Sequence, residues 1–379
     1  MRQSPQSSRE PSRLQPKLRE ALFEDYEPIA ALHARNGLAI RSRRDWIGLW
    51  KGNPVYERMK GHFPIGWVLE TGAGGIVGLI ANVPFAFHFQ GRELLAAAAC
   101  AWVVDPQYRR LSMRLLERLM SQERADLILS TTVSPSSEPV LKLFEWSRAP
   151  SGAWDRSSFW ITNYRGFARS ALRLKSAPMS AFLSYPVSAA LYCRDLFRKT
   201  EPGIGPDAAI ESCAGFDDRF DTFWEELKRE KADFLLPCRT REVLAWHFGA
   251  SLSEGRVSIL TFSSSGRMSA YAIFDRQDTP ACGLKRVRLV DFQALKGSEN
   301  ALPSAMGWML RRCRAEGIHI LENVGCWLER PGLPRLAAPY SRTLSSFIYY
   351  YKAINKDLSP VLRNPAVWAP TTFDGDASL

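Results

Sequence analysis

The chain has 379 residues, of which 46% are hydrophobic and 23% are charged, and its formal net charge is +11. This length suggests two domains, and the near-average composition excludes disorder as the general state. The seven cysteines are scattered and form no C-x-x-C pair. We therefore expect no disulfide framework and no metal, in a reducing, cytoplasmic setting. The positive charge favours an anionic partner but does not choose among nucleotides, nucleic acid and a membrane surface.

Residues 1–18 are polar, contain three prolines and lack the hydrophobic centre of a signal peptide, so we interpret them as a disordered arm. No run of about 18 apolar residues occurs, which predicts that no helix spans a membrane. The nearest candidate, residues 179–197, is interrupted by Pro186 and Arg194. We expect it to be a packed linker helix or to lie on a surface.

Short strands and helices alternate between residues 19 and 165, which we predict to form one domain. The first elements are a short strand and a helix within 19–38, a hairpin of strands 66–71 and 74–89, and a strand at 91–105 after a turn at Gln90-Gly91. A helix after Arg110 and a strand at 126–132 follow. The last elements are a helix at 136–146, capped by Ser136 or Ser137, and a closing strand at 157–164. This order is typical of a mixed α/β layer.

A proline-rich connector at 166–208 precedes a second predicted domain at 209–358 and an irregular tail at 359–379. The second domain repeats the order of the first. Its predicted elements are helices at 216–231 and 240–249, a hairpin at 256–278, a strand at 285–295, a helix at 299–317 and strands at 318–325 and 343–353. Because hairpin, strand, helix and strand follow one another in both halves, we infer an internal duplication of architecture.

The stretch "AWVVDPQYRRLSMRLLERLM", residues 101–120, carries the most specific pattern in the chain. A short apolar run leads directly into an amphipathic helix with a regular apolar face. A helix that starts directly after a strand presents unpaired backbone N–H groups and the positive end of its dipole, which together attract an anion. Arg109 and Arg110 add positive charge where a pyrophosphate would lie.

This stretch resembles the acyl-CoA motif of the GNAT N-acyltransferases, in which a strand ending in V-x-P-x-[YF]-R is followed by a loop of the type [RQ]-x-x-G-x-[GA]. The matching residues are Val103, Val104, Pro106, Tyr108 and Arg109. The second half resembles the degenerate partner domain of tandem GNAT proteins, including the FemAB-like aminoacyltransferases. The resemblance implies an α/β fold of two GNAT-like mixed-sheet domains in tandem, with helices on both faces of each sheet.

The resemblance also implies acetyl-CoA or another acyl-CoA as co-substrate, with no metal. The pantetheine would pair with the backbone of Trp102–Val104, where strand 101–105 diverges from strand 126–132, and the pyrophosphate would lie on the amides of residues 109–114. The implied contact residues are Trp102, Val103, Val104, Arg109, Arg110, Leu111, Ser112, Met113 and Arg114. Ser112 and Arg114 stand where the family has glycine or another small residue, so this version relies more on charge.

The implied reaction is direct attack of an amine on the thioester, and the amine must lose a proton. His88 and Glu93 flank a hairpin turn and are candidate bases, although a solvated hairpin tip is the favoured interpretation of both residues. Tyr108 is a candidate acid, with Tyr164 as an alternative. The question arises because Phe144 stands where family members often have a tyrosine that protonates the leaving thiolate. Either another acid replaces that tyrosine, or the thiolate leaves unaided, or catalysis is absent.

The remaining polar candidates read as structural. Asp105 is expected to cap the turn that follows it. His33 and His247 are expected to pack in the core, and Cys100 is expected to be a small buried group. His319 has no evident partner in the sequence.

Three functions stay open at this point. The first is acyl-CoA-dependent transfer to an amine-bearing small molecule, an amino sugar or a peptide. The second is aminoacyl transfer from charged tRNA in the FemAB manner, and the third is a non-catalytic GNAT-fold binding protein. Nucleic acid is not the expected partner, because no recognised nucleic-acid module accompanies the arginine-rich segments. The sequence does not indicate an oligomeric state.

Overall fold

The computed structural model describes residues 15–198, 210–325 and 327–379, which form two mixed sheets with helices packed on them. The strands are β1 (Lys17–Glu20), β2 (Gly66–Glu70), β3 (Ile76–Phe89), β4 (Arg92–Val104), β5 (Leu127–Val133), β6 (Ser147–Arg148), β7 (Arg156–Ile161), β8 (Ile210–Cys213), β9 (Leu236–Pro237), β10 (Val257–Ser264), β11 (Arg267–Arg276), β12 (Arg286–Ala294), β13 (Ile320–Val324), β14 (Tyr340–Thr343) and β15 (Ile348–Ala353). The helices are α1 (Tyr26–Arg35), α2 (Arg43–Gly48), α3 (Pro54–Arg58), α4 (Ser112–Met120), α5 (Glu138–Leu143), α6 (Tyr164–Leu174), α7 (Ser180–Arg198), α8 (Asp218–Glu230), α9 (Arg241–Ser253), α10 (Ala301–Ala315) and α11 (Leu358–Leu362).

The first sheet has the strand order β1-β2-β3-β4-β5-β15-β6, and β9 pairs with the far end of β3. Its long hairpin, β3 and β4, turns at Gln90 and Gly91, which both have positive φ angles, of 48° and 75° respectively. A turn of this kind matches the twist of the two strands and confirms the predicted hairpin. Strands β4 and β5 run parallel and are connected by α4.

The second sheet has the order β14-β7-β13-β12-β11-β10-β8. Its parallel pair, β12 and β13, is connected by α10, just as β4 and β5 are connected by α4. The hairpin of β10 and β11 precedes this pair, as the hairpin of β2 and β3 precedes the first. The predicted tandem of two mixed-sheet α/β domains is therefore confirmed.

The two sheets exchange a strand, which the sequence did not indicate. Strand β7 was expected to close the first domain, and that expectation is wrong, because β7 lies in the second sheet between β13 and β14. In return, the late strand β15 lies in the first sheet beside β5. The residues of β15 from Ile348 to Tyr351 are all buried, as suits a strand covered on both faces. Alternation within a strand identifies its faces but not its neighbours.

The chain's last segment, predicted to be an irregular tail, contains only α11 and short 3-10 turns but packs deeply between the two sheets. Trp368 lies against Tyr349 of the first sheet, with ring centroids 5.5 Å apart. The Thr371 hydroxyl donates to Asp291 of β12 at 2.8 Å. The tail therefore connects the two sheets.

The predicted boundary segments are partly outside the described residues. Most of the arm at 1–18 lies outside them, but residues 17 and 18 belong to β1. The connector at 166–208 is helical up to residue 198, in α6 and α7, and its remainder lies outside. Among the described residues, no helix is both long enough and apolar enough to cross a bilayer.

Candidate active site

Strands β4 and β5 separate midway along the first sheet. They pair only at residues 96–98 and 127–129, and Ala98 with Leu129 is the last pair. Beyond it β4 stays paired with β3, whereas β5 stays paired with β15. The predicted divergence of these strands is therefore present, and one edge of β4 after Ala98 faces an opening rather than a neighbouring strand.

A β-bulge lies where β4 borders this opening. Leu79 pairs with Val103 and Ala81 with Cys100, so two residues of β4, Ala101 and Trp102, face a single residue of β3. Ala101 has a φ angle of 49°, which is unfavourable for a residue with a side chain. Bulges re-aim backbone groups next to active sites. The indole nitrogen of Trp102 is buried without a hydrogen-bond partner among the described residues, which leaves a donor available to a ligand.

The arginine-rich segment lies directly after β4. Residues 106–111 form a 3-10 turn, and α4 begins only at Ser112, so the helix does not start straight off the strand as expected. Arg109, Arg110 and Arg114 are exposed, and within the described parts of the chain none of them is paired with a carboxylate. Buried leucines on the inner side of α4 fix the segment against the sheet. Three uncompensated positive charges therefore stand beside the first turn of α4.

A cavity of about 1480 Å³ passes through the opening and reaches both faces of the first sheet. On the face covered by α4 and α5 it is lined by Leu116, Leu141 and Trp146, and on the opposite face by His33 and His247. Residues of the second sheet, including Asp275 and Gln277, complete its wall. A long ligand can therefore enter from the side of α4 and meet a second molecule on the other side.

The tail places a carboxylate, Asp376, in this opening. Its Oδ1 accepts hydrogen bonds from the Thr131 amide at 2.9 Å and the Thr131 hydroxyl at 2.5 Å, and its Oδ2 accepts one from the Thr132 hydroxyl. The preceding Gly375 permits this approach, because a Cβ there would lie 2.9 Å from the Thr131 methyl group. Of the four carboxylates on the described cavity wall, Asp376 is the one bonded to β5.

Cys100 also lines the cavity but is not suited to nucleophilic chemistry. Desolvation raises the pKa of its thiol well above the ordinary value, and the nearby Asp376 charge adds to that shift. The thiol therefore stays protonated at neutral pH, in agreement with the sequence-based interpretation.

Both histidines expected in the core line the cavity, and His247 is also buried among aromatic rings, as expected. Nε2 of the half-buried His33 has no hydrogen-bond partner among the described residues. Nε2 of His247 lies 2.8 Å from the Ser378 hydroxyl, and burial lowers the pKa of His247 to about 3. His247 is therefore neutral at physiological pH. His319 does have a partner, since its Nδ1 accepts a hydrogen bond from the Lys285 amide at 3.2 Å.

His88 and Glu93 lie away from this cavity. They pair with each other at the turn end of the β3–β4 hairpin, and Glu93 is seven residues, roughly 23 Å of extended strand, from Cys100. Glu93 forms an exposed ion pair with Arg58 at 3.0 Å, and His88 contacts the Trp224 ring. The structure does not bring these two candidate bases to the opening.

The candidate acids are likewise absent from the cavity wall. Tyr108 is half-buried against the apolar residues under α4, and Phe144 packs in the same cluster. The hydroxyl of Tyr164 donates to Asp195 at 3.0 Å, on the side of the second sheet. Hydroxyls of Ser134 and Ser137 do line the cavity and lie 3.0 Å apart. Ser137 occupies the N-cap of α5 without the predicted capping bond, and its hydroxyl shares a hydrogen bond with that of Ser134 instead.

Asp105 does not cap the turn after β4, as was expected, but fixes α1 to the end of that strand. Its carboxylate accepts hydrogen bonds from Arg35 at 2.8 Å and from Asn36 at 2.8 Å. Burial alone would raise the pKa of Asp105, but these hydrogen bonds and the Arg35 charge outweigh it and hold the pKa below its usual value. Asp105 therefore supports the site instead of acting as a base.

Comparison with known proteins supports the fold. No family model and no curated protein matches the sequence. A GCN5-related N-acetyltransferase from Kribbella flavida is 11% identical, with a TM-score of 0.53 over 89% of this chain and 71% of its own. A probable N-acyltransferase from Enterococcus faecalis is 10% identical, with a TM-score of 0.53 over 89% and 72%. N-myristoyltransferase from Saccharomyces cerevisiae with bound myristoyl-CoA is 10% identical, with a TM-score of 0.52 over 92% and 86%. The chain has the GNAT fold in tandem.

Proposed function

We propose that the protein is an acyl-CoA-dependent N-acyltransferase, with acetyl-CoA or a longer acyl-CoA as donor and an amine as acceptor. The observation that carries the proposal is the opening between β4 and β5, which connects the two faces of the first sheet through one cavity. A neighbour in fold holds myristoyl-CoA, which supports a thioester donor. The bulged edge of β4 and the three free arginines supply the groups that such a donor needs.

The donor fits the site in two parts. The pyrophosphate would lie on the amides of residues 109–114, where Arg109, Arg110 and Arg114 supply charge in place of close backbone approach at glycine. The pantetheine would lie along Trp102–Val104 in the opening and satisfy backbone groups that have no strand partner. The indole N–H of Trp102 gives a further hydrogen bond to this arm.

Bound acyl-CoA supplies the activated acyl group as a thioester. Backbone N–H groups at the bulge of β4 orient and polarise its carbonyl. The acceptor amine enters from the face of His33 and attacks the carbonyl carbon, so that a C–N bond forms as the C–S bond breaks. Asp376, rather than His88 or Glu93, takes the amine proton. The Ser137 hydroxyl donates a hydrogen bond to the departing thiolate, which solvent then protonates.

Thermal stability with added CoA tests the donor site. Saturation to 100 times the dissociation constant stabilises a protein by about 2.7 kcal/mol, which here corresponds to a rise of a few degrees in Tm. The triple variant R109A/R110A/R114A should lose most of that rise. The matched control R92A/R229A/R311A removes three exposed arginines elsewhere and should keep it. If millimolar CoA and acetyl-CoA leave the wild-type Tm unchanged, the proposal fails, and a non-catalytic protein or an aminoacyl-tRNA donor takes its place.

The thermal assay and a rate measurement together separate donor binding from catalysis. D376N should keep the CoA-induced rise, because Asp376 faces the acceptor. Thiol release from acetyl-CoA with a panel of amino sugars and peptide amines should slow by at least about tenfold in D376N, the lower end of what a general base contributes. An unchanged rate would show that the base lies elsewhere.

A further inference from the structure

The helical hairpin of α6 and α7 has its polar and apolar sides reversed relative to an ordinary surface helix. Along α7, Ser184 is buried, and its hydroxyl donates to the Ala181 carbonyl of the same helix at 2.7 Å. The outward side instead carries large apolar groups, with Phe182 69% and Phe197 89% exposed. The other large exposed residues of this apolar face are Leu183, Tyr185, Val187, Tyr192 and Leu196.

This apolar face extends along most of α7. Helix α7 has 19 residues, about 28 Å of helix, and its stretch from Ser180 to Cys193 contains no charged residue. Exposed apolar surface of this extent on a folded domain marks an interaction site. The helix is nevertheless too polar overall to cross a bilayer.

A row of arginines borders the apolar face. Arg165, Arg169 and Arg173 are spaced by four residues on α6 and are all exposed. The Arg165 guanidinium lies 4.1 Å from the centre of the Tyr185 ring, so the basic row and the apolar face meet directly. Four-residue spacing keeps the three charges on one side of α6.

The charge of this hairpin is strongly one-sided. Residues 164–198 contain six basic residues and one acidic residue, Asp195. The Asp195 carboxylate faces inward and accepts hydrogen bonds from Tyr164 at 3.0 Å and Tyr340 at 2.8 Å. Within the described residues of α6 and α7, no carboxylate therefore offsets the arginine row at the surface.

We propose that α6 and α7 form a docking surface for an anionic lipid bilayer. The apolar side chains of α7 would enter the boundary between headgroups and acyl chains, and the arginines of α6 would lie at the phosphate level. Charge favours an anionic bilayer over a second copy of this chain, because each copy carries a formal net charge of +11 and an arginine row beside the apolar face. The surface is separate from the cavity, so the inference does not depend on the proposed reaction.

Vesicle co-sedimentation of the full chain tests this surface. We expect binding to phosphatidylcholine vesicles that contain about 30% phosphatidylglycerol, whose surface is negatively charged, and little binding to pure phosphatidylcholine. The variant R165E/R169E/R173E should weaken binding by at least about tenfold, since each basic residue near a charged surface contributes appreciably. Raised salt should weaken wild-type binding in the same direction.

Two further variants keep the outcome decisive. R92E/R229E/R311E makes the same change in net charge at exposed sites elsewhere and should bind like the wild type. F182S/F197S should lower binding while leaving Tm unchanged, because both rings are exposed. Equal binding to neutral and anionic vesicles, or none to either, would overturn the proposal. A dimer seen by light scattering for the wild type, and a monomer for F182S/F197S, would also overturn it, since a second copy would then cover the apolar face.

Discussion

Glu322 is a fully buried carboxylate whose charge is balanced by three arginines. On β13 it accepts hydrogen bonds from Arg288 at 2.8 Å and Arg342 at 2.5 Å, and Arg286 lies 3.3 Å away. Burial alone would raise its pKa, but the charges of Arg288, Arg342 and Arg286 outweigh that effect and lower the pKa to about 2. Because the folded pKa lies below that of the unfolded chain, ionised Glu322 stabilises the fold above about pH 4.5, and this contribution disappears as the pH falls toward 2.

The variant E322Q should therefore lower the free energy of unfolding at pH 7 by roughly 3–5 kcal/mol, the usual cost of removing one partner from a buried ion pair. It should also lose less stability than the wild type between pH 4.5 and pH 2. Urea unfolding at pH 7, 4 and 3 measures both effects. E329Q is the matched control, since Glu329 pairs with Arg156 at the surface and should cost at most about 1 kcal/mol. Equal losses in the two variants would contradict the prediction.

At the scale of single residues, only part of the candidate site could be predicted from the sequence. The arginines beside α4 and the backbone of Trp102–Val104 belong to one contiguous motif, whose periodicity is visible locally. Asp376 reaches Thr131 across 245 residues of chain, and no local pattern encodes that contact. The one available signal was the Asp-Gly-Asp sequence, in which Gly375 has a φ angle of 144° that side chains rarely adopt. His88 and Glu93 were correctly placed beside the hairpin turn, but the sequence does not show that the opening lies toward the other end of β4.

At the scale of secondary structure, strand β4 has both a structural part and a part that borders the cavity. Its middle residues, Ala96–Ala98, are paired on both sides and hold the sheet together, whereas the residues after Ala98 have an unpaired edge that borders the cavity. The bulge at Ala101 lies in the second of these parts. Ala101 has a backbone conformation that glycine adopts without strain, so the strand stores strain at the point where ligand and backbone would meet.

Substitutions at Ala101 should show how much strain the bulge stores. A101G should leave stability unchanged or raise it by up to about 1 kcal/mol, because relief of the left-handed strain is offset by the greater entropy of glycine. A101V should lower stability by about 1–3 kcal/mol, since a β-branched side chain tolerates a positive φ poorly. Chemical denaturation of both variants gives the comparison. Valine and glycine variants of equal stability would show that the bulge relaxes freely.

Element positions were largely predictable from the sequence, because apolar periodicity and turn residues are local properties. The β3–β4 hairpin follows from its turn residues, and α4 from its regular leucines. Strand partners were less accessible. Strand β7 has an ordinary strand pattern, and its place in the second sheet depends on residues more than 150 positions away in β13 and β14. The start of α4 was misplaced by one residue, because a 3-10 turn and the first turn of an α-helix share the same sequence pattern.

The whole molecule is held together by strands and a tail that pass from one half of the chain into the sheet of the other. Strand β7 leaves the first half for the second sheet, β15 returns from the second half to the first sheet, and the tail bonds to both. The Arg239 guanidinium reinforces this arrangement, since it pairs with Asp291 of β12 at 2.8 Å and with Asp374 of the tail at 3.3 Å while fully buried. Neither sheet can be complete without residues from both halves.

Calorimetry of the full chain should therefore show one cooperative unfolding transition instead of two. A fragment of residues 15–165 should be unfolded by circular dichroism and amide exchange, because it lacks β15 and leaves the edge of β5 unpaired. Two resolved transitions in the full chain, or a folded fragment, would contradict this prediction. CoA should shift the single transition as a whole if it binds the native state alone.

The return of β15 to the first sheet also constrains the order of events during synthesis. As the chain leaves the ribosome, β5 emerges more than 200 residues before the strand that will cover its edge. For that interval the first sheet exposes an apolar, unpaired border, which is the kind of surface that chaperones bind and that causes aggregation. Maturation of the nascent protein is thus set by the arrival of its final strand, however early its N-terminal portion collapses.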